Sequence, residues 1–194
     1  VVHHGGAGND IFNIYGVSNK IYGDDGDDIF NIIQGGSNTI DGGTGTNTVT
    51  GTVGTNTTIN VIGANSGSVS LTKGVEQVVN INGIDYTMST ESTTATVIYS
   101  INDSGQITFS MSSNQAIIRG DLNKKHNVSI KAGITFYGGN KGDIIDAHGA
   151  TIYLGSGNNT LKAFGTTIYG SSGNDTVSIT DGSFFYGGTG ITNL

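Results

Sequence analysis

The sequence predicts an all-β fold: a parallel β-roll, or β-solenoid, in two blocks of stacked coils with a β-rich, non-repeating stretch between them. Three observations point there. Four stretches read almost alike: Gly5-Gly-Ala-Gly-Asn-Asp10, Gly23-Asp-Asp-Gly-Asp-Asp28, Gly42-Gly-Thr-Gly-Thr-Asn47 and Gly170-Ser-Ser-Gly-Asn-Asp175. Each is followed at once by a short strand pattern, Ile11-Phe12-Asn13, Ile29-Phe30-Asn31, Thr48-Val49-Thr50 and Thr176-Val177-Ser178. The chain has 33 glycines and no proline, whereas disordered glycine-rich sequences carry proline too. No segment shows helical periodicity.

The repeated unit is the nonapeptide G-G-x-G-x-D-x-U-x, where U is a large apolar residue, the pattern of a parallel β-roll with calcium in its turns. Glycine lets the turn enter positive φ and aim its carbonyls inward. The sixth-position Asp adds a carboxylate, and a hard cation needs such oxygens. The strand that follows points its apolar residue into the core. Stacked coils lie about 4.8 Å apart, so Asp falls above Asp, and a bare acidic column would repel itself.

Alignment on the inward apolar residues gives coils at 5–22, 23–41 and 42–60, with Gly16-Val-Ser-Asn19 as the second turn of the first. Later coils start at 138, 154, 170 and 187, and their second halves match: Ala132-Gly-Ile-Thr-Phe-Tyr137, His148-Gly-Ala-Thr-Ile-Tyr153, Phe164-Gly-Thr-Thr-Ile-Tyr169 and Asp181-Gly-Ser-Phe-Phe-Tyr186. Residues 118–137 read as a decayed coil in which Asn127 takes the Asp place. The organisation is therefore a first block at 1–60, a β-rich insertion or set of degenerate coils at 61–119, and a second block at 120–194. Within the middle stretch, Val79–Tyr86 around Asn82-Gly83 reads as one hairpin. Thr94–Ile101, the turn Asn102-Asp-Ser-Gly105 and Gln106–Met111 read as another.

Charge narrows the function classes. The net charge is −7, Glu occurs only at Glu76 and Glu91, and ten of the Asp residues lie in the repeat regions. An acidic chain without a basic stripe does not fit nucleic acid, while acid gathered in glycine turns fits a cation. There is no cysteine, hence no disulfide or thiolate site. No apolar run is long enough for a transmembrane helix, and no signal peptide is visible. The chain starts and stops inside repeats and reads as a piece of a larger parent chain.

Catalysis finds thin material. His126 and His148, with Asp85, Glu76, Glu91, Asp103 and Asp121, are the candidates, and they form no recognisable triad or zinc motif. The expectation is a non-enzymatic chain. Tyr137, Tyr153, Tyr169 and Tyr186 recur once per coil; a structural ladder is the preferred reading over a strip for stacking on sugar rings. The third turn position runs Ala7, Asp25, Thr44, Asn140, Ser156, Ser172, Thr189, too irregular for the flat outward array that ice binding needs.

Residues 5–60 and 138–194 resemble the repeats-in-toxin (RTX) family. The resemblance implies a secreted bacterial protein, exported through a type I system, that stays unfolded in calcium-poor cytosol and folds on extracellular calcium. The stretch Ile14–Asp28 resembles repeats of the very large multifunctional toxins, and giant adhesins carry such modules as well. Carried onto this sequence, the resemblance implies calcium ligands at Gly5, Ala7 and Asp10; Gly23, Asp25 and Asp28; Gly42, Thr44 and Asn47; Gly138, Asn140 and Asp143; Ser156 and Asn159; and Gly170, Ser172 and Asp175. Ions would sit between consecutive turns, Asp10 with Asp28, Asp28 with Asn47, Asp143 with Asn159, Asn159 with Asp175, and Asp175 with Thr192. That makes roughly five sites. Asn47, Asn159 and Thr192 depart from the pattern, as does Lys141 in place of a glycine. The implied function is a calcium-triggered folding and rigidity module of a toxin or adhesin. The alternative is a calcium-dependent module that binds a glycan or another cell-surface ligand.

Overall fold

The structure, a computed structural model, describes residues 1–34, 36–52, 58–63, 65–180 and 182–193, and these form strands and turns without a helix. Corners recur too often to leave a run that could propagate a helix, and β-branched residues suit the short pleated segments between them. Two eleven-stranded sheets result. In spatial order, one holds Val2–Ala7, Lys20–Asp25, Thr39–Asp41, Thr58–Ile62, Gln77–Ile81, Ile84–Ser89, Ala116–Gly120, Ile134–Tyr137, Thr151–Tyr153, Thr167–Tyr169 and Phe184–Tyr186. The other holds Ile11–Ile14, Ile29–Ile32, Thr48–Thr52, Ser66–Thr72, Thr94–Ile101, Ile107–Ser113, Asn127–Ile130, Ile144–His148, Thr160–Phe164, Asp175–Ile179 and Thr192–Asn193.

Outside the middle of the chain all pairing is parallel, and like residues stack. Ile11 lies on Ile29 and Phe12 on Phe30, and Tyr137, Tyr153, Tyr169 and Tyr186 follow one another. This is the parallel β-solenoid that the repeats predict. Asp181 and the Thr-rich residues 53–57 lie outside the described residues.

The middle stretch stays within the same two sheets but winds backward. Gln77–Ile81 turns at Asn82 and Gly83, with φ of 49° and 88°, into the antiparallel Ile84–Ser89. This is the predicted Asn-Gly hairpin. The chain then crosses to the second sheet, where Thr94–Ile101 runs antiparallel to both Ser66–Thr72 and Ile107–Ser113. The second predicted hairpin closes with Asn102 Oδ1 accepting from the Ser104 and Gln106 N–H groups. Parallel winding resumes at Ile107–Ser113 against Asn127–Ile130 and at Ala116–Gly120 against Ile134–Tyr137.

One apolar core runs through the roll. Toward its ends it holds Ile21, Phe30, Ile40, Ile152 and Ile168, and in the reversed region Tyr86, Met88, Tyr99 and Phe109 are buried. Gly67 leaves the space for Tyr99, whose ring a Cβ at that position would strike. Burial raises the Tyr86 and Tyr99 phenols above their ordinary value of 10.0, and the charge of Asp143 adds to the effect at Tyr86. The unfolded chain releases these protons above pH 10 while the fold keeps them. Stability is therefore intact below that pH and falls above it, by about 1.4 kcal/mol per pH unit for each tyrosine. Urea titrations on either side of pH 10 should show this slope, with phenolate absorbance from these two residues appearing only as the fold is lost. No described helix is long and apolar enough to cross a membrane.

Candidate metal centre

The glycine turns stack along one edge of the roll, backbone on backbone. Gly26 adopts φ of 140°, and a Cβ there would run into the Gly8 carbonyl of the coil before it. A Cβ on Gly155 would overlap the carbonyl of Gly139 in the same way. Successive turns thus approach more closely than side chains permit, with a backbone carbonyl of one coil against the glycine of the next.

A column of sixth-position residues closes these turns. At five levels, one side-chain oxygen accepts the backbone N–H of the equivalent residue one coil earlier. Asp28 Oδ1 accepts from Asp10 N at 2.9 Å and Asn47 Oδ1 from Asp28 N at 2.8 Å. Asp143, Asn159 and Asp175 repeat the bond to His126, Asp143 and Asn159 at 2.9, 2.8 and 3.0 Å. Asp28, Asn47, Asp143, Asn159 and Asp175 are all nearly inaccessible to solvent.

The second side-chain atom separates these residues. The Oδ2 atoms of Asp10, Asp28 and Asp175 are buried and have no hydrogen-bond partner. A Cβ on Gly5 would lie 2.5 Å from Asp10 Oδ2 and 2.8 Å from the Gly23 carbonyl oxygen. A Cβ on Gly23 would likewise intrude between Asp28 Oδ2 and the Gly42 carbonyl oxygen. Glycine at position one thus keeps a carboxylate oxygen facing a carbonyl oxygen of the next coil. A buried carboxylate oxygen without a donor is stabilised by a cation placed beside it. In Asn47 and Asn159 the corresponding atom is an N–H donor. Asn47 Nδ2 donates to the Thr44 carbonyl at 3.0 Å, and Asn159 Nδ2 donates to the Gly155 and Gly157 carbonyls at 3.1 and 2.8 Å and to Asp175 Oδ1 at 2.9 Å, which leaves Asp175 Oδ2 as the unpartnered oxygen of that carboxylate.

Asp143 differs again, and it corrects the reading of Asn127. Asn127 pairs with Ile144, so it begins the strand, and His126 holds the Asp place one residue earlier. The His126 ring is fully buried, edge-on to Tyr86 and Phe136, with Nδ1 2.9 Å from Asp143 Oδ1. Asp143 Oδ2 accepts from Gly139 N at 2.8 Å. Both oxygens of this carboxylate are therefore engaged. The apolar alternation beginning at Val128 is the sequence signal for this register, since the motif has Asp and not histidine at the sixth place.

The third-position side chains do not reach the cradles. Ala7, Asp25, Thr44, Asn140, Ser156 and Ser172 are exposed. Thr44 Oγ1 donates to Asp25 Oδ1 at 3.1 Å, and Ser156 Oγ to Asn140 Oδ1 at 2.8 Å. These positions can offer only their carbonyls inward. Gly138 stands beside Asp143 Oδ2 as Gly5 stands beside Asp10, whereas Gly170 faces the Gly188 backbone and the Phe185 ring instead. Thr192 pairs with Asp175 as the alignment predicts. Among the described residues no three His, Asp or Glu side chains converge. A cation on this edge would draw on single carboxylates and backbone carbonyls, a donor set that suits calcium better than zinc.

Elsewhere the polar groups are simpler. The tyrosine rings stack 4.5, 4.6 and 5.1 Å apart and within 12° of parallel, and Arg119 lies over Tyr137 at 4.1 Å. Their faces are turned on one another and their edges outward, the geometry of a ladder. His148 Nε2 lies 3.1 Å from Asp146 Oδ1 on the exposed sheet face. Comparison with protein-family models, curated proteins and solved structures finds no match to this chain. The structure by itself identifies the chain as a parallel β-solenoid repeat module with a buried Asx column along its glycine edge.

Proposed function

We propose that this chain is a calcium-binding β-roll module of the repeats-in-toxin type. It folds on extracellular calcium and supports type I secretion, folding and rigidity of a larger bacterial toxin or adhesin. The observation that carries the reading is the set of buried, unpartnered carboxylate oxygens at Asp10, Asp28 and Asp175. Calcium takes six to eight oxygens in flexible geometry, and stacked turns supply carbonyls around a single carboxylate. Asp10, Asp28 and Asp175 would hold the ions, with carbonyls such as those of Gly23 and Gly42 beside them. Bound calcium neutralises the column, so folding and loading proceed together. The role is structural, without a catalytic step, in a secreted or surface-exposed protein. A glycan-binding role draws less support, because the tyrosine ladder leaves ring faces free only at its end.

Thermal melts of chelator-treated protein test the reading. Millimolar calcium is expected to raise the midpoint well beyond the same concentration of magnesium, which demands near-octahedral geometry and keeps its waters. Equal midpoints in calcium, magnesium and chelator would contradict it.

A further inference from the structure

The sixth-position residues of the glycine turns bury a polar side chain beside backbone carbonyls, and the structure satisfies these side chains in more than one way. At Asp10, Asp28 and Asp175 the second carboxylate oxygen is buried without a donor, and Asp28 and Asp175 are each 1 % exposed. At Asn47 and Asn159 an amide N–H occupies the equivalent place and donates to carbonyls of its own turn, and at Asn159 also to Asp175 Oδ1 of the next coil. At Asp143 the donors are the His126 backbone and ring and the Gly139 N–H. An amide donor does locally what a cation does: it sets positive charge against crowded oxygens.

We propose that calcium occupies only the levels of Asp10, Asp28 and Asp175, and that Asn47, Asn159 and the His126–Asp143 pair close their turns without metal. The inference rests on the calcium reading and lowers the number of ions from the roughly five implied by the repeat pattern to three, one per unpartnered carboxylate. Metal-requiring turns then lie toward the two ends of the roll, and its middle is closed by the chain's own donors. The geometry makes the effect of an amide at these positions reverse in sign with calcium. In Asp28→Asn, Oδ1 still accepts from Asp10 N, while the new N–H faces turn oxygens as Asn47 does one coil further on.

Equilibrium dialysis with radioactive calcium, together with thermal melts in chelator, decides the matter. The unaltered chain is expected to bind three ions. Asp28→Asn and, at the other end of the roll, Asp175→Asn should each lose one ion, yet melt several degrees above the parent in chelator. Asn159→Asp should gain one ion and melt lower in chelator. Five ions on the unaltered chain would overturn the inference and leave the calcium reading standing. So would unchanged ion counts with lower chelator midpoints in both Asp-to-Asn variants. No bound calcium at all would remove the calcium reading and the inference with it.

Discussion

Moved from about 10 mM calcium into chelator, the chain is expected to lose about 4–8 kcal/mol of stability. Extracellular calcium modules bind with dissociation constants of about 10⁻⁴ to 10⁻³ M. By mass action each site then contributes about 1.4–2.7 kcal/mol, and three carboxylates lack partners. The sum is comparable with the whole stability of an ordinary domain, about 5–15 kcal/mol. The loss should be uneven along the roll. Asp10 and Asp28 belong to the first coils and Asp175 to a late one, whereas the coils between are closed by Asn47, by Asn159 and by His126 with Asp143. Hydrogen exchange in chelator is expected to open Ile29–Ile32 and Asp175–Ile179 first and to leave Thr94–Ile101 and Ile107–Ser113 protected. Uniform exchange along the whole stack would contradict this distribution.

The second large effect lies in the reversed region. Phe109 is fully buried, packs 5.1 Å from the Tyr86 ring, and sits between Tyr99 and Ile130 in the sheet. Phe109→Ala is expected to cost about 3–5 kcal/mol, because it removes transfer energy and leaves a cavity that rigid sheets cannot close. Phe164, 56 % exposed, provides the comparison: its truncation should cost no more than about 0.5 kcal/mol. Urea unfolding of the two variants measures both values. Similar costs would mean that the core does not pass through the reversed coil.

The parts of this fold that the sequence displays are those whose physics is local. Glycine turns, the strand after each, and the hairpin turns at Asn82-Gly83 and at 102–105 are read from residue type and spacing. The backward winding is not legible, because two hairpins in succession say nothing about which strands they join across the stack. His126 escaped because the polar Asn127 beside it looked like the missing acid, and only the pairing of Asn127 with Ile144 fixes the register. The Asx column itself is plain in the sequence. What distinguishes Asp28 from Asn47 is where the second side-chain atom points and what it meets, and that exists only in the folded turn.

A calcium titration of chelator-treated protein, followed by far-ultraviolet circular dichroism, tests the central claim most directly. A cooperative gain of β signal is expected, contributed by the coils at the two ends of the roll, with a midpoint at about 10⁻⁴ to 10⁻³ M calcium. A full β signal in chelator that calcium leaves unchanged, in both amplitude and thermal midpoint, would contradict it and make the glycine turns corners that need no ion.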